Sequence, residues 1–230
     1  MTDAHAIAVN LAVVRARMAK ACAKCARSID DVRLVAVSKT KPAADVRAAF
    51  DAGQRVFGEN YAQELVDKHT ELAALAAIEW HFVGHVQTTK AKLVAERATM
   101  IHAVDSVRLA TELGRRASAR ATPLEVLLEV NVGGEATKSG VAPEALEALV
   151  EAVERIDALR LRGLMSIPPP SDSAESSRPF HRSLRALRDR LGGVARLPEL
   201  SMGMTDDLEV AIEEGATLVR VGTAIFGARG

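Results

Sequence analysis

Aromatic residues make up only 3% of the chain: one Trp, one Tyr and five Phe among 230 residues. That scarcity argues against stacking platforms for nucleobases. An excess of one charge is also missing. Thirty basic residues balance 30 acidic ones, so no basic field draws nucleic acid or an anionic membrane. No uninterrupted apolar run approaches the roughly 20 residues that cross a bilayer. The alanine-rich segment from Ala4 to Arg27 carries Arg15, Arg17, Lys20 and Lys24, and lacks the basic-then-apolar order of a secretory signal. The expectation is a soluble, cytoplasmic protein that engages neither nucleic acid nor membrane.

Cysteine is nearly absent too. Cys22 and Cys25 continue a helical stripe of Ile7, Leu11, Val14 and Met18 at spacings of three and four, which places both thiols on a buried face. No further cysteine completes a thiolate zinc site, and no metal is expected. A Gly-x-Gly-x-x-Gly turn is missing after the first apolar run, which weakens a dinucleotide-binding sheet.

What is present is a regular alternation. Strand-like segments at 33–38, 55–57, 79–83, 100–103, 124–131, 160–167, 199–202 and 217–221 are separated by amphipathic stretches at 43–52, 61–77, 89–97, 107–118, 143–156, 176–191 and 206–214. Pro143 suits a first helical turn, Asp206 with Glu209 resembles a capping box, and Gly53 and Gly215 stand where left-handed caps fall. Eight strand–helix units imply a closed parallel (β/α)8 barrel of the TIM type preceded by an extra helix, with an open doubly wound sheet as the alternative. No boundary divides residues 1–230, so a single domain is expected. Pro168-Pro169-Pro170 through Ser177 reads as a loop.

Lys39 closes the run Leu34-Val35-Ala36-Val37-Ser38. A lysine at the buried carboxyl end of a strand tends towards the neutral amine, which attacks carbonyls; the alternative is a lysine whose head reaches solvent. Strand phase puts Arg220, Glu129, Asn131 and His81 inside the barrel, either as a polar site or, for Glu129 with Arg220, as an internal ion pair. His81 taken alone reads as a hydrogen-bonded structural histidine. After the seventh and eighth strands stand Leu200-Ser201-Met202-Gly203-Met204 and Arg220-Val221-Gly222-Thr223. Small residues and hydroxyls in these loops form a phosphate cradle. A phosphate cradle and a strand-end lysine in one barrel suit pyridoxal 5'-phosphate (PLP).

The motifs Ala36-Val37-Ser38-Lys39-Thr40-Lys41-Pro42, Phe57-Gly58-Glu59-Asn60-Tyr61-Ala62-Gln63-Glu64, Trp80-His81-Phe82-Val83-Gly84, Lys138-Ser139-Gly140, Arg162-Gly163-Leu164-Met165, Ser201-Met202-Gly203-Met204-Thr205-Asp206-Asp207 and Arg220-Val221-Gly222-Thr223-Ala224-Ile225-Phe226-Gly227 run in order along the chain. In these the chain resembles the pyridoxal phosphate homeostasis protein family, single-domain relatives of the alanine racemase N-terminal barrel. The resemblance implies a fold-type III PLP barrel over residues 1–230. It implies PLP held as a Schiff base on Lys39, phosphate on Ser201, Gly222 and Thr223, Arg220 at the pyridine nitrogen, and Asn60 and Met202 beside the ring. Two departures stand out. Thr89 occupies a position where the family usually has Asn, and could cap the following helix instead. His85 replaces an apolar residue or proline.

The function implied is intracellular PLP storage, delivery or buffering, with PLP-dependent apo-enzymes as recipients and effects on amino-acid and keto-acid metabolism. An arginine at the ring nitrogen leaves that nitrogen unprotonated, which weakens the ring as an electron sink. Alanine racemases add a tyrosine from a second domain. This chain ends soon after the eighth strand, and its one tyrosine, Tyr61, reads as structural. A non-catalytic carrier, monomeric because no further apolar face is evident, is therefore expected ahead of an amino-acid racemase or a lysine-dependent aldolase without PLP.

Overall fold

The computed structural model describes residues 3–135, 138–170 and 172–228. Its strands are β1 (Arg33–Val37), β2 (Val56–Glu59), β3 (Glu79–Phe82), β4 (Met100–Val104), β5 (Leu124–Glu129), β6 (Leu159–Met165), β7 (Glu199–Ser201) and β8 (Leu218–Val221). They pair in sequence order, all parallel, and β8 closes onto β1 with Val35 opposite Arg220. The closed barrel settles the choice against an open sheet. Every expected strand is present, with ends displaced by a residue or two. β2 runs on to Glu59 because Gly58 pairs with Val37 on one side and His81 on the other.

The helices are α1 (Ala4–Lys24), α2 (Ala43–Asp51), α3 (Ala62–Glu71), α4 (Ala91–Ala95), α5 (Val107–Ala117), α6 (Leu146–Glu154), α7 (Arg178–Arg190), α8 (Gly193–Arg196), α9 (Leu208–Glu213) and α10 (Thr223–Phe226). None of the described helices is long and apolar enough to cross a membrane. The extra helix α1 starts at Asp3, whose carboxylate accepts the His5 N–H. It buries Ile7, Leu11, Val14, Met18 and Cys22 against α2, α9 and α10. Cys25 is half-buried at its C-terminus, and both thiols are free.

Two apolar layers result. Residues facing the helices, such as Ala36, Phe57, Phe82, Ile101, Val126, Val219 and Val221, join the helix faces in the larger core. Val35, Val56, Met100, Leu127, Met165 and Leu218 fill the barrel itself. A charged floor closes the amino-terminal end, where Arg33 pairs with Glu199 at 2.9 Å and Thr217 donates to the same carboxylate at 2.6 Å. The carboxyl-terminal end stays open, as the βα loops of such barrels require.

Two expected caps are placed differently. α9 begins after Asp207, not Asp206, and Glu209 is drawn away to Arg17 at 2.6 Å. Thr89 lies inside a 3₁₀ turn, Thr88–Lys90, and caps nothing; α4 starts at Lys90 without a side-chain cap. Gly53 and Gly215 do take left-handed conformations.

Candidate functional site

Lys39 stands two residues beyond the end of β1, in a tight turn, and is half-buried rather than enclosed at the strand end. Thr40, next to it, holds φ at +63°, which costs a non-glycine residue energy unless its surroundings compensate. They do so from both sides. Lys68 of α3 donates to the Ser38 carbonyl at 2.7 Å, to Glu59 at 2.7 Å and to Glu64 at 3.1 Å. Ser38 Oγ donates to Glu59 at 2.6 Å, and the Thr40 N–H donates to Glu64 at 2.7 Å. The residues on either side of Lys39 are thus tied to one buried cation–carboxylate cluster. Burial pushes the Glu59 carboxyl above its ordinary range, and the Lys68 charge opposes that shift.

A cavity of about 260 Å³ opens here, lined by Lys39, Asn60, Thr205, Arg220, Gly222 and Thr223 among others. This is at the small end of ligand sites, suited to a compact, polar molecule. On one side Thr205 Oγ1 and Thr223 Oγ1 lie 3.1 Å apart. A Cβ built on Gly222 would stand 3.0 Å from the Val37 carbonyl oxygen, so the absence of a side chain lets the end of β8 lie close against β1 beside the cavity. The Thr205 loop is held from behind. Arg17 donates to the Thr205 carbonyl at 2.8 Å, Asp207 accepts the Met204 N–H at 2.7 Å, and His181 lies 2.9 Å from the other Asp207 oxygen. Burial alone would raise the Asp207 carboxyl, but the hydrogen bonds from His181 and Met204 bring it below its usual value.

Arg220 forms the inner wall. It is 5% exposed, donates to Ser201 Oγ at 2.7 Å and to the Ser166 carbonyl at 2.9 Å. Burial lowers its pKa to about 10, so it stays charged at neutral pH. Glu129 and His81 are inside the barrel, as strand phase requires. No ion pair joins Glu129 to Arg220 among the described residues, because the guanidinium is directed to the two serines. Burial and the Asp105 charge raise the Glu129 carboxyl to about 7, with Arg220 opposing.

Three expected site residues are placed differently. Ser201 is buried beneath Arg220, its hydroxyl engaged by that guanidinium and by His102. Met202 packs in the layer between barrel and helices, and Met204 lines the cavity in its place. Asn131 lies beyond the end of β5 and donates to the Glu135 carbonyl at 2.8 Å. Two further residues belong to the site without a distinct signal in the sequence: Thr205, which follows Met204 in the same loop, and His102, which shares the face of Met100 on β4. Asn60 is at the cavity, and its Oδ1 is buried with no partner among the described residues. Its backbone lies tight against Gly84, where an added Cβ would meet the Asn60 carbonyl oxygen at 2.5 Å. Tyr61 is 52% exposed rather than packed, and lines a neighbouring cavity with exposed His85.

Eight parallel strands with a clustered lysine, a buried arginine and two hydroxyls at their carboxyl ends define a (β/α)8 barrel with a polar cavity at its mouth. The chain belongs to the family of the alanine racemase N-terminal domain, whose model matches residues 3–230. It is 51% identical over 224 residues to the pyridoxal phosphate homeostasis protein of Pseudomonas aeruginosa, covering 97% of this chain and 96% of that one. It is 46% identical to the protein of that name from Escherichia coli, covering 97% of both. Among solved structures, PipY of Synechococcus elongatus with PLP bound is 37% identical, with a TM-score of 0.84 over 96% of this chain and all (100%) of that one. An alanine racemase from Bartonella henselae, 16% identical, shares the fold with a TM-score of 0.69 over 99% of this chain and 60% of its own.

Proposed function

We propose that this single barrel binds PLP at the Lys39 cavity and serves PLP homeostasis, holding the cofactor for storage, buffering or delivery to PLP-dependent apo-enzymes. The observation that carries this reading is the convergence on one small cavity of Lys39, the charged Arg220 and the Thr205–Thr223 hydroxyl pair. Relatives named for PLP homeostasis and a PLP-bound relative support it.

The residues fit the cofactor. PLP supplies an aldehyde, which condenses with an amine and releases water. Lys39 is the covalent tether, and the cluster around Lys68 presents it. Thr205, Gly222 and Thr223 would take the phosphate, while the Ser201 hydroxyl is engaged by Arg220 and His102. Arg220 would donate to the ring nitrogen, and a donor there would keep that nitrogen unprotonated. Asn60 Oδ1, buried without a partner among the described residues, would be left to accept a hydrogen bond from the bound molecule. Met204 replaces Met202 as the apolar wall.

A ring nitrogen facing a guanidinium weakens carbanion chemistry, and the one tyrosine of the chain, Tyr61, lines a different cavity. Both support a carrier over a catalyst. One observation favours a second reading, amino-acid racemisation. Glu129, poised at about 7, lines a cavity that shares Ile167 with the Lys39 cavity.

Absorbance of protein incubated with PLP, before and after borohydride, tests the main reading. A chromophore fixed by borohydride in the wild type and lost in Lys39→Ala is expected; no chromophore in the wild type refutes PLP binding. Chiral analysis after incubation with L-alanine is expected to show no inversion. Inversion that depends on Lys39 and Glu129 establishes the racemase instead.

A further inference from the structure

A hydrogen-bonded chain runs through the barrel beneath the cavity, and the proposed function makes no use of its inner half. Arg220 Nη1 donates to Ser201 Oγ at 2.7 Å. Ser201 Oγ lies 2.9 Å from His102 Nδ1, and His102 Nε2 lies 2.9 Å from His81 Nδ1. The four side chains come from β8, β7, β4 and β3, so the chain spans the barrel. All are buried, His102 and Ser201 at 0%, His81 at 1% and Arg220 at 5% exposure. The layer around them is apolar: Val35, Met100, Leu127, Met165 and Leu218.

The direction of each bond follows from the arginine. A guanidinium only donates, so the Ser201 oxygen accepts from it. The single hydroxyl proton of Ser201 then needs an acceptor, and His102 Nδ1 is within reach. His102 therefore carries its proton on Nε2 and donates to His81 Nδ1, which leaves the His81 proton on its own Nε2. Both rings are neutral. Burial lowers His81 to about 3, with the Arg33 charge adding, and takes His102 well below its ordinary value, with His81, Arg220 and Arg33 adding. A proton on His81 Nδ1 would set two N–H groups against each other.

Two imidazoles in an apolar barrel layer cost more to bury than the aliphatic residues around them, unless they are hydrogen-bonded. Their bonds lead to one place, the serine that accepts from Arg220. We propose that His102 and His81 are positioning residues for Arg220. Through Ser201 they hold the guanidinium in one orientation at the cavity wall, so that its remaining N–H groups are aimed at the ligand. The same arrangement explains why the Ser201 hydroxyl is turned inward, away from the Thr205–Thr223 pair.

The role for the ligand rests on the reading that the cavity takes PLP with its ring nitrogen towards Arg220; the direction of the chain does not. Two measurements separate them. The first needs no cofactor. Histidine-selective 15N NMR of the wild type is expected to show both His81 and His102 as Nε2–H tautomers that do not titrate between about pH 5 and 8. His102 protonated on Nδ1 overturns the proposal whether or not PLP binds. The second compares His102→Leu, which removes the acceptor, with His102→Asn, whose Oδ1 replaces Nδ1. With unfolding still cooperative, His102→Leu is expected to weaken PLP binding about tenfold, the order lost with one hydrogen bond to a charged group, and to shift the band of bound cofactor. His102→Asn is expected to restore both. Wild-type affinity and band in His102→Leu overturn the proposal. Ser201→Ala cuts the chain at its other end and is expected to reproduce the same loss if His102→Leu does not fold. A wild type that takes up no PLP refutes the proposed function, and the tautomer measurement then still decides the chain.

Discussion

Replacing Glu129 with Gln removes a titration while keeping the volume and shape of the side chain. Glu129 is 6% exposed, and its carboxyl rises from an ordinary 4.5 to about 7, first through burial and then through the Asp105 charge. The folded chain therefore holds this proton more tightly than the unfolded chain does. The stability it contributes is complete below about pH 4.5 and is lost as the pH rises through about 7. Between pH 5 and pH 8 the wild type should lose about 2 kcal/mol relative to Glu129→Gln, on the scale of 1.36 kcal/mol per pKa unit. Urea unfolding of both proteins at the two pH values measures it, because groups common to the two cancel in the difference. The wild-type stability should fall behind that of Glu129→Gln at pH 8 and approach it at pH 5. A gap that is equal at both pH values, or that widens towards acid, refutes the reasoning. It would mean that Glu129 ionises in the folded protein as it does in water, with a partner or water that the geometry does not provide.

Lys68→Met should destabilise the protein by about 3–5 kcal/mol, because it leaves the fully buried Glu59 carboxylate without its cation. Adding Glu59→Gln should recover most of that loss in the same urea titration, and no recovery would show that the charge was not the cause. Thr205→Val with Thr223→Val should weaken PLP binding at least about tenfold, since a hydrogen bond to a charged acceptor contributes about 1.5–3 kcal/mol. Both hydroxyls lie near solvent, so the melting temperature of the cofactor-free protein should barely move. An unchanged Kd would remove these two residues from the phosphate site.

Much of the barrel was legible before any coordinates. Apolar segments of strand length alternate with amphipathic ones, and a period of two against a period of 3.6 is a property of the chain itself. Strand phase placed Glu129, His81 and Arg220 inside for the same reason: along a strand, neighbours face opposite ways, so the apolar face that meets the helices leaves the polar face within. The rule failed where the backbone leaves the ladder. Asn131 lies past the last residue of β5, beyond the paired segment. Met202, set beside the ring by the family resemblance and not by phase, keeps the alternation: like Leu200 it packs in the outer layer, with Ser201 turned inward between them. The capping box at Asp206 failed because Arg17, far away in sequence, takes Glu209.

Local pattern thus determined the elements, their order and the lysine at the end of the first strand, because each depends on residues within one or two turns of the chain. Closure of the barrel decided the rest. It brought Ser201 under Arg220 and away from the hydroxyl pair, where a guanidinium 19 residues later in sequence and an imidazole 99 residues earlier claim its hydroxyl. It set Thr205 against Thr223, Lys68 behind Ser38, and His102 between Ser201 and His81. Hydrogen bonds between different strands require that their ends meet, and that meeting is a property of the closed sheet, not of any segment.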